Sequence, residues 1–407
     1  GEPVFSGQAG NETAYRLKTP SGFAKIRNFL FLAGAGSLSE SVSYKVSGRF
    51  YHDSIYDFST RYSPPVAKDQ RDSAELRDAF LDFSAGNLDV RAGRQQIVWG
   101  EAVGTYIADV VNPRDLREFV LQDFELARIP QWSLDAEYTL GDLHLEAVWT
   151  PFPEFSRLGV PGSEFMFAPP VPAGAFPIAA SERVPAETFK NGEYGARLSG
   201  LTAGWDLTLF GLSAWDKVPA YPRTITATPF GALYNFTPEH TRLMISGATF
   251  TKEAGDFVFK GETAYTHGKS LSVLNSVNPT GTARRDTLDA MVGADRTLFE
   301  KLDVNAQFIY RRIFAYMPGI FQEKRNATFA SLWFKIGFMN GRLEPEVLML
   351  TGLNLWSEKL VRPKITVKPG GNLEISAGLD LLYGAPDGLF GQFAGNSRAW
   401  LTTRYMF

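Results

Sequence analysis

The residues that could carry chemistry are few. Four histidines, His52, His144, His240 and His267, are the only imidazoles, and no pair has the spacing of a metal motif. A Ser/His/acid set would have to use His144, which alternation places on the inward side of a strand beside a tight turn. The chain has no cysteine, so thiol catalysis, cysteine-based zinc sites and disulfides are excluded. No glycine-rich phosphate loop and no His-Glu-x-x-His occurs. Asp53, Asp57, Glu101 and Asp109 are calcium donors by type, yet none sits in an EF-hand spacing. No catalytic set, metal or cofactor is therefore expected. What remains is charge set into alternating segments: Asp78 and Asp82 ahead of Arg91, and Arg362, Lys364 and Lys368 ahead of Glu374 and Asp380. Such pairs serve either as cross-strand ties in a wall or as a ladder that selects ions.

The elements that would carry these charges follow from composition and period. At 407 residues and 44% hydrophobic content the chain could hold several soluble domains, but no linker or shift in charge divides it, so one unit over 1–407 is expected. A net charge of −3 offers no electrostatic footprint for nucleic acid. A membrane-crossing helix needs about 20 mostly apolar residues, and the best apolar run, Phe29 to Ala35, is far shorter. Gly1-Glu2-Pro3 heads neither a charged n-region nor an apolar h-region, so a mature form with its leader removed is expected.

Alternating segments recur in pairs. Leu81–Ser84 and Leu88–Ala92 flank Ala85-Gly86-Asn87, and Leu134–Leu140 and Leu143–Trp149 flank Gly141-Asp142. Leu198–Leu201 and Trp205–Leu209 flank Thr202-Ala203-Gly204, and Leu243–Thr251 and Phe257–Thr263 flank Lys252-Glu253-Ala254-Gly255. Ala35–Ser39, Arg296–Lys301, Asn340-Gly341 and Pro369-Gly370-Gly371 bring the tight turns to eight. Turn residues between alternating apolar runs are hairpin signals. The other connections are mostly long and rich in Pro, Gly and charge, at 54–73, 100–130, 153–189, 216–238, 269–284, 314–325 and 384–395, with short ones near 18–23 and 354–357. Short turns at one end and long loops at the other are the asymmetry of outer-membrane barrels. Eight turns bind sixteen strands, and strands near 4–18 and 396–407 make eighteen; without 4–18 the count is sixteen or seventeen.

Facing can be read along the strands. Leu373, Ile375, Ala377, Leu379 and Leu381 fall on one side, with Glu374, Ser376 and Asp380 on the other. Leu302, Val304, Ala306, Phe308 and Tyr310 oppose Asp303, Asn305, Gln307 and Arg311, and Trp132, Leu134, Ala136 and Tyr138 oppose Ser133, Asp135 and Glu137. A soluble sandwich shows the same alternation, but so many ten-residue strands with aromatics at their ends fit a lipid-facing band between aromatic girdles. The expected fold is all-β, a transmembrane antiparallel barrel of about eighteen strands in the bacterial outer membrane, in contact with outer-membrane lipid and lipopolysaccharide. Such a barrel encloses more space than side chains fill.

Residues 100–130 are the expected lumenal plug. Asn112 reads as a helix cap with Pro113 at the first helical position, and Leu116, Phe119, Val120 and Phe124 form an apolar stripe. Glu101, Asp109, Arg114, Asp115, Arg117 and Glu118 are its charged set, within reach of Asp78, Asp82 and Arg91 on the preceding hairpin. The loop 151–189 holds eight of the 24 prolines together with Phe155, Phe165, Met166, Phe167 and Phe176. It reads either as a surface loop packed on itself or as an extracellular apolar portal for hydrophobic molecules.

Gly93-Arg94-Gln95-Gln96-Ile97-Val98-Trp99-Gly100-Glu101, followed by Asp109-Val110-Val111-Asn112-Pro113-Arg114-Asp115-Leu116-Arg117-Glu118-Phe119, resembles the signature of domain-of-unknown-function family 1302. That family consists of proteobacterial outer-membrane barrels. The resemblance implies passage or export of hydrophobic small molecules or lipids, with periplasmic components of an RND-type exporter as partners, and it supplies no catalytic or binding residues. Two other readings stay open: a porin for polar or charged solutes, and a structural or assembly barrel without transport.

The last strand places Ala399, Leu401, Thr403, Tyr405 and Phe407 on one face, and its aromatic end resembles the assembly signal of outer-membrane barrels. Removing Phe407, or replacing it with Asp, is expected to impair membrane assembly. Normal yield and normal heat-modifiable migration on gels would count against this reading.

Overall fold

The computed structural model describes residues 2–167, 171–172, 174–274, 278–321, 323–354 and 358–407. Eighteen strands form one sheet. In chain order they are Val4–Arg16, Gly22–Ser37, Val42–Asp53, Asp72–Ala85, Leu88–Gln95 and Gln131–Leu140. Leu143–Thr150, Glu193–Thr202, Trp205–Trp215, Arg242–Ala254, Phe257–Ser272 and Thr282–Leu298 follow. Leu302–Ile313, Asn326–Ile336, Leu343–Gly352, Lys359–Gly370, Leu373–Tyr383 and Arg398–Met406 complete the set.

Each strand pairs antiparallel with its neighbour in sequence, and the last pairs with the first from Gln8↔Met406 to Arg16↔Arg398. The sheet is thus a closed barrel with no free edge, which is what a bilayer without hydrogen-bond partners demands of strands. Phe407 and Gly7 exchange backbone hydrogen bonds at 2.9 and 2.8 Å just below the seam. The hairpins turn where the sequence places them. Gly86 and Gly141 open two-residue turns at φ 62° and 60°, a conformation that costs glycine nothing.

At the opposite end the connections are long and carry their own structure. Short helices occupy Ile55–Phe58 and Pro64–Gln70. Phe176–Ala179, Arg223–Thr228 and Gly231–Phe236 form a small separate sheet across two loops that the sequence reading left without strands. Residues 355–357, in the expected short connection 354–357, lie outside the described residues.

Alternation sorts the side chains as expected. Phe308, Trp132, Leu134 and Tyr138 are exposed on the outside, whereas Asn305, Gln307, Gln131 and Ser133 are buried inside. The inner wall, however, is not uniformly polar. Phe210, Leu212, Ala214, Leu243, Ile245, Ala264, Met291 and Ile309 are buried in one apolar cluster. An apolar stretch of inner wall must be covered, because leaving it wet costs roughly 25 cal/mol per Å².

One expected element is absent. No helix starts at Asn112; residues 96–123 run without regular structure, and the single helical turn in the segment is Phe124–Ala127, behind Asp123. Asn112 is drawn away from capping because its carboxamide is used elsewhere, accepting from Ile97 N at 2.8 Å and donating to Ile129 O at 2.9 Å.

Phe308→Arg or Leu379→Arg would place a guanidinium against lipid and is expected to cost about 2–4 kcal/mol. Ser376→Arg, on the inner wall, should fold. Urea unfolding of the refolded proteins measures both, and equal stability would refute the facing.

Candidate functional site

The connection between Gln95 and Gln131 is the candidate site, and the barrel wall holds it from several directions. Asn112 ties its entry to its exit. Glu262 accepts from Ala108 N at 2.9 Å and from Glu101 N, and Ser331 donates to Val103 O at 3.2 Å. Arg362 donates to Leu121 O at 2.7 Å, and Arg77 to Glu125 O at 2.6 Å. Ile97, Trp99, Ile107, Ala108 and Val111 pack with the apolar wall cluster, with Trp99 5.5 Å from Phe210 between ring centroids. The Trp99 indole N–H donates to Glu146 at 2.7 Å, so even this apolar contact leaves no donor stranded.

A turn places the central charge. Phe119 N donates to Leu116 O and Leu121 N to Glu118 O, and Phe119 itself sits at φ 56°. Glu118 accepts from Lys25 at 2.5 Å, Arg27 at 2.7 Å and Arg398 at 3.1 Å. Burial works against its charge, but the three cations overcome burial and hold the carboxyl well below the ordinary range. Arg398 and Arg362 also both pair with Asp380, at 2.8 Å each. Glu118 is the one sequence candidate that joins the segment to charged wall residues on both sides of the first strand.

The remaining candidates have more local partners. Asp115 pairs with Arg117 at 2.6 Å, and Arg117 also donates to Asp69 O. Burial opposes the charge of Asp115, and Arg117 outweighs it, leaving its carboxyl lowered. Asp109 pairs with Arg128 at 2.7 Å and accepts from Arg114 through its carbonyl, while the Arg114 guanidinium lies 3.6 Å over the Tyr106 ring. Glu101 is largely exposed and reaches Lys260 at 3.3 Å. The expected reach of the segment to the preceding hairpin is not seen for Asp78, Asp82 and Arg91. Asp78 pairs with Lys45 and Ser47, and Asp82 with Arg91 across the wall, because these groups satisfy each other at shorter range. Sequence reasoning missed Lys25, Arg27, Arg77, Glu262 and Arg398. The alternation Lys25-Ile26-Arg27 on an apolar strand was the available signal for two of them.

The aromatic loop divides. Phe165 is buried, and Phe165 and Phe167 pack on Phe393, which in turn meets Phe119 at 5.0 Å. Phe155 packs on His240 with ring centroids 3.8 Å apart, Met166 is half-buried, and Phe176 stands exposed on the small separate sheet. The other loop carboxylates weighed as calcium donors are engaged by the protein: Asp53 accepts from Ile26 N, and Asp57 faces His52. Among the described residues no group of three or more potential ligands is arranged to hold a metal.

Below the segment, toward the short turns, lies a cavity of about 600 Å³. Val103, Gly104 and residues from Glu118 to Leu126 line one side of it, and inward residues of the strands from Asn326 round the seam to Asp53 line the rest. Its charged residues are Lys25, Arg27, Arg49, Lys335, Arg362, Lys364, Lys368, Arg398 and Arg404 with Glu12, Glu118, Asp123, Glu344, Glu346, Glu374 and Asp380.

A closed eighteen-strand barrel of this form is an outer-membrane, porin-type channel fold. Solved structures agree: the chain is similar to Pseudomonas aeruginosa OccK8 (OprE), at 12% identity and TM-score 0.56 over 100% of this chain and 98% of that one. It is also similar to Acinetobacter baumannii OccAB1, at 10% identity and TM-score 0.57 over 100% and 96% of the two chains. A third is Pseudomonas aeruginosa OccK2 (OpdF) in complex with glucuronate, at 12% identity and TM-score 0.54 over 100% and 98%. At these identities the likeness is one of fold. A search of curated proteins found no match. The family described as "Protein of unknown function (DUF1302)" matches residues 34–329, and the chain belongs to it.

Glu118→Ala takes the shared partner from Lys25, Arg27 and Arg398, which keep Glu12, Asp53 and Asp380, and is expected to cost about 3 kcal/mol, the lower end for removing one partner from a buried charge set. Because the folded carboxyl lies below its unfolded value near 4.5, its contribution is present above that value and lost only as pH falls through the lower folded one. Tryptic cleavage at Arg117 in detergent measures the docking. The wild type should resist down to the lowest pH at which trypsin works, and Glu118→Ala should be cut at neutral pH.

Proposed function

We propose that the protein is an outer-membrane channel for small polar solutes, with a mild preference for anions, and that residues 96–130 set its constriction. The observation that supports this is the lining of the cavity beneath the segment, which counts nine Lys or Arg against seven Asp or Glu, a surplus of two positive charges in a chain of net −3. A cargo passing here would exchange its hydration for fixed charges of both signs, which suits ions and hydroxylated solutes and penalises a bare hydrocarbon. OccK2, similar in fold, was solved with glucuronate, a carboxylated sugar. The hydrophobic-cargo reading rests on the family resemblance, with the phenylalanines of 151–189 as a candidate portal; two of them, Phe165 and Phe167, are engaged in internal packing.

Planar-bilayer recording tests the proposal. Discrete ion conductance is expected, with a reversal potential in a salt gradient displaced toward the anion. Deleting about 105–125 while keeping Gly100 and Gly104 should leave the barrel folded and raise the conductance severalfold. An electrically silent protein that nonetheless moves a lipophilic dye between vesicles would overturn the proposal in favour of hydrophobic cargo with an RND-type partner. Conductance unchanged by the deletion would remove the segment from the constriction.

A further inference from the structure

The outward rows are mainly apolar, and the seam interrupts them. Asn11 and Asn28 stand directly opposite each other in mid-strand, and Asn11 is flanked on its other side by Thr403. Asn11 Nδ2 donates to Asn28 Oδ1 at 2.9 Å, and Thr13 Oγ1 donates to Asn11 Oδ1 at 2.7 Å. Asn11 and Asn28 face outward, because their chain neighbours Glu12 and Arg27 line the inner cavity, and Thr13 reaches their face through its bond to Asn11. The exposed Tyr15, Leu32, Leu401 and Tyr405 share their face. Asn28 is exposed and its Nδ2 has no partner among the described residues, so two amide hydrogens project toward the surrounding medium at mid-strand, where hydrocarbon offers no acceptor.

The row beside this trio also carries small residues. The outward row of the first strand reads Gly7, Ala9, Asn11, Thr13; the Phe407 ring covers Gly7, and Ala9 is the small residue left next to Asn11. Small residues permit close approach of another surface, and polar groups beside them supply direction, the combination that joins polypeptides inside membranes. A lipid tail would fill the trough but leave the amide unpaired. A second copy of the same trio presents both carboxamide oxygens and donors, and so complements it.

We infer that the face formed by the first two strands and the last is a self-association surface, on which Asn11, Thr13 and Asn28 of one copy meet those of another within the membrane. Association then rests on hydrogen bonds that only a second copy, and not lipid, can complete.

Two measurements on the full chain test this. In sedimentation of the detergent-solubilised protein, the wild type should be oligomeric, and Asn11→Leu with Asn28→Leu should weaken association by about tenfold or more, the size of a polar contact between membrane segments. Because the chain lacks cysteine, a single bimane label can be placed at Ala9→Cys or at Phe308→Cys on another part of the wall. In vesicles of brominated phospholipid, Phe308→Cys should be quenched and Ala9→Cys shielded. Equal quenching at the two sites would overturn the inference and assign the trough to lipid, as would a wild type that sediments as a monomer at every concentration. The quenching comparison stands even if the double leucine variant fails to fold.

Discussion

A carboxylate removed from water has to find cations, and Glu118 finds three on two strands that flank the first. Lys25 and Arg27 come from Gly22–Ser37 and Arg398 from Arg398–Met406. The bond set therefore does two things at once: it anchors the segment, and it cross-ties the place where the barrel closes. Asp380 extends the tie by holding Arg398 and Arg362 together, and Arg362 returns to the segment through Leu121 O. Removing Glu118 takes a shared partner from three buried cations at once, whereas removing one cation leaves Glu118 two others.

The segment has two unlike neighbours, which explains its shape. On the side of Trp205–Trp215 through Leu302–Ile313 the inner wall carries the apolar cluster, and the stretch Ile97–Val111 is pressed on it by burial. On the side of Asn326–Ile336 round to Val42–Asp53 the wall is charged, and there the segment is held by separate polar bonds with the cavity beneath them. A regular helix from Asn112 would spend its backbone groups internally. The extended course instead offers them to wall side chains, as Glu101 N and Ala108 N do to Glu262. Backbone groups still find partners, some within the segment and others on the barrel wall.

This also marks where sequence reading runs out. The hairpins at Gly86 and Gly141, and the facing of Phe308 against Gln307, depend on residues a few positions apart, and period two exposes them. The helix expected at Asn112-Pro113 was a local inference of the same kind, overruled by Ile97 and Ile129 across the base of the loop. The alternation at Lys25-Ile26-Arg27 puts two cations on one face, but their partner lies 93 and 91 residues further on, and nothing local pairs them with Glu118. Strands are written in short-range pattern; the site is written in long-range complementarity.

The outer loops finish the lock. Phe119 follows Glu118 directly and is held in a left-handed backbone conformation that a bulky residue adopts only when its surroundings fix it. Here Phe167, Phe390 and Phe393 surround its ring at 5.7, 5.9 and 5.0 Å. One residue thus bonds to the seam and the next enters a knot made by two of the long loops. Swinging the segment aside would break both together, exposing a charge set and an aromatic cluster in one step. Under the channel reading the segment is a fixed constriction, and solutes would pass beside it along the charged wall, without displacing it.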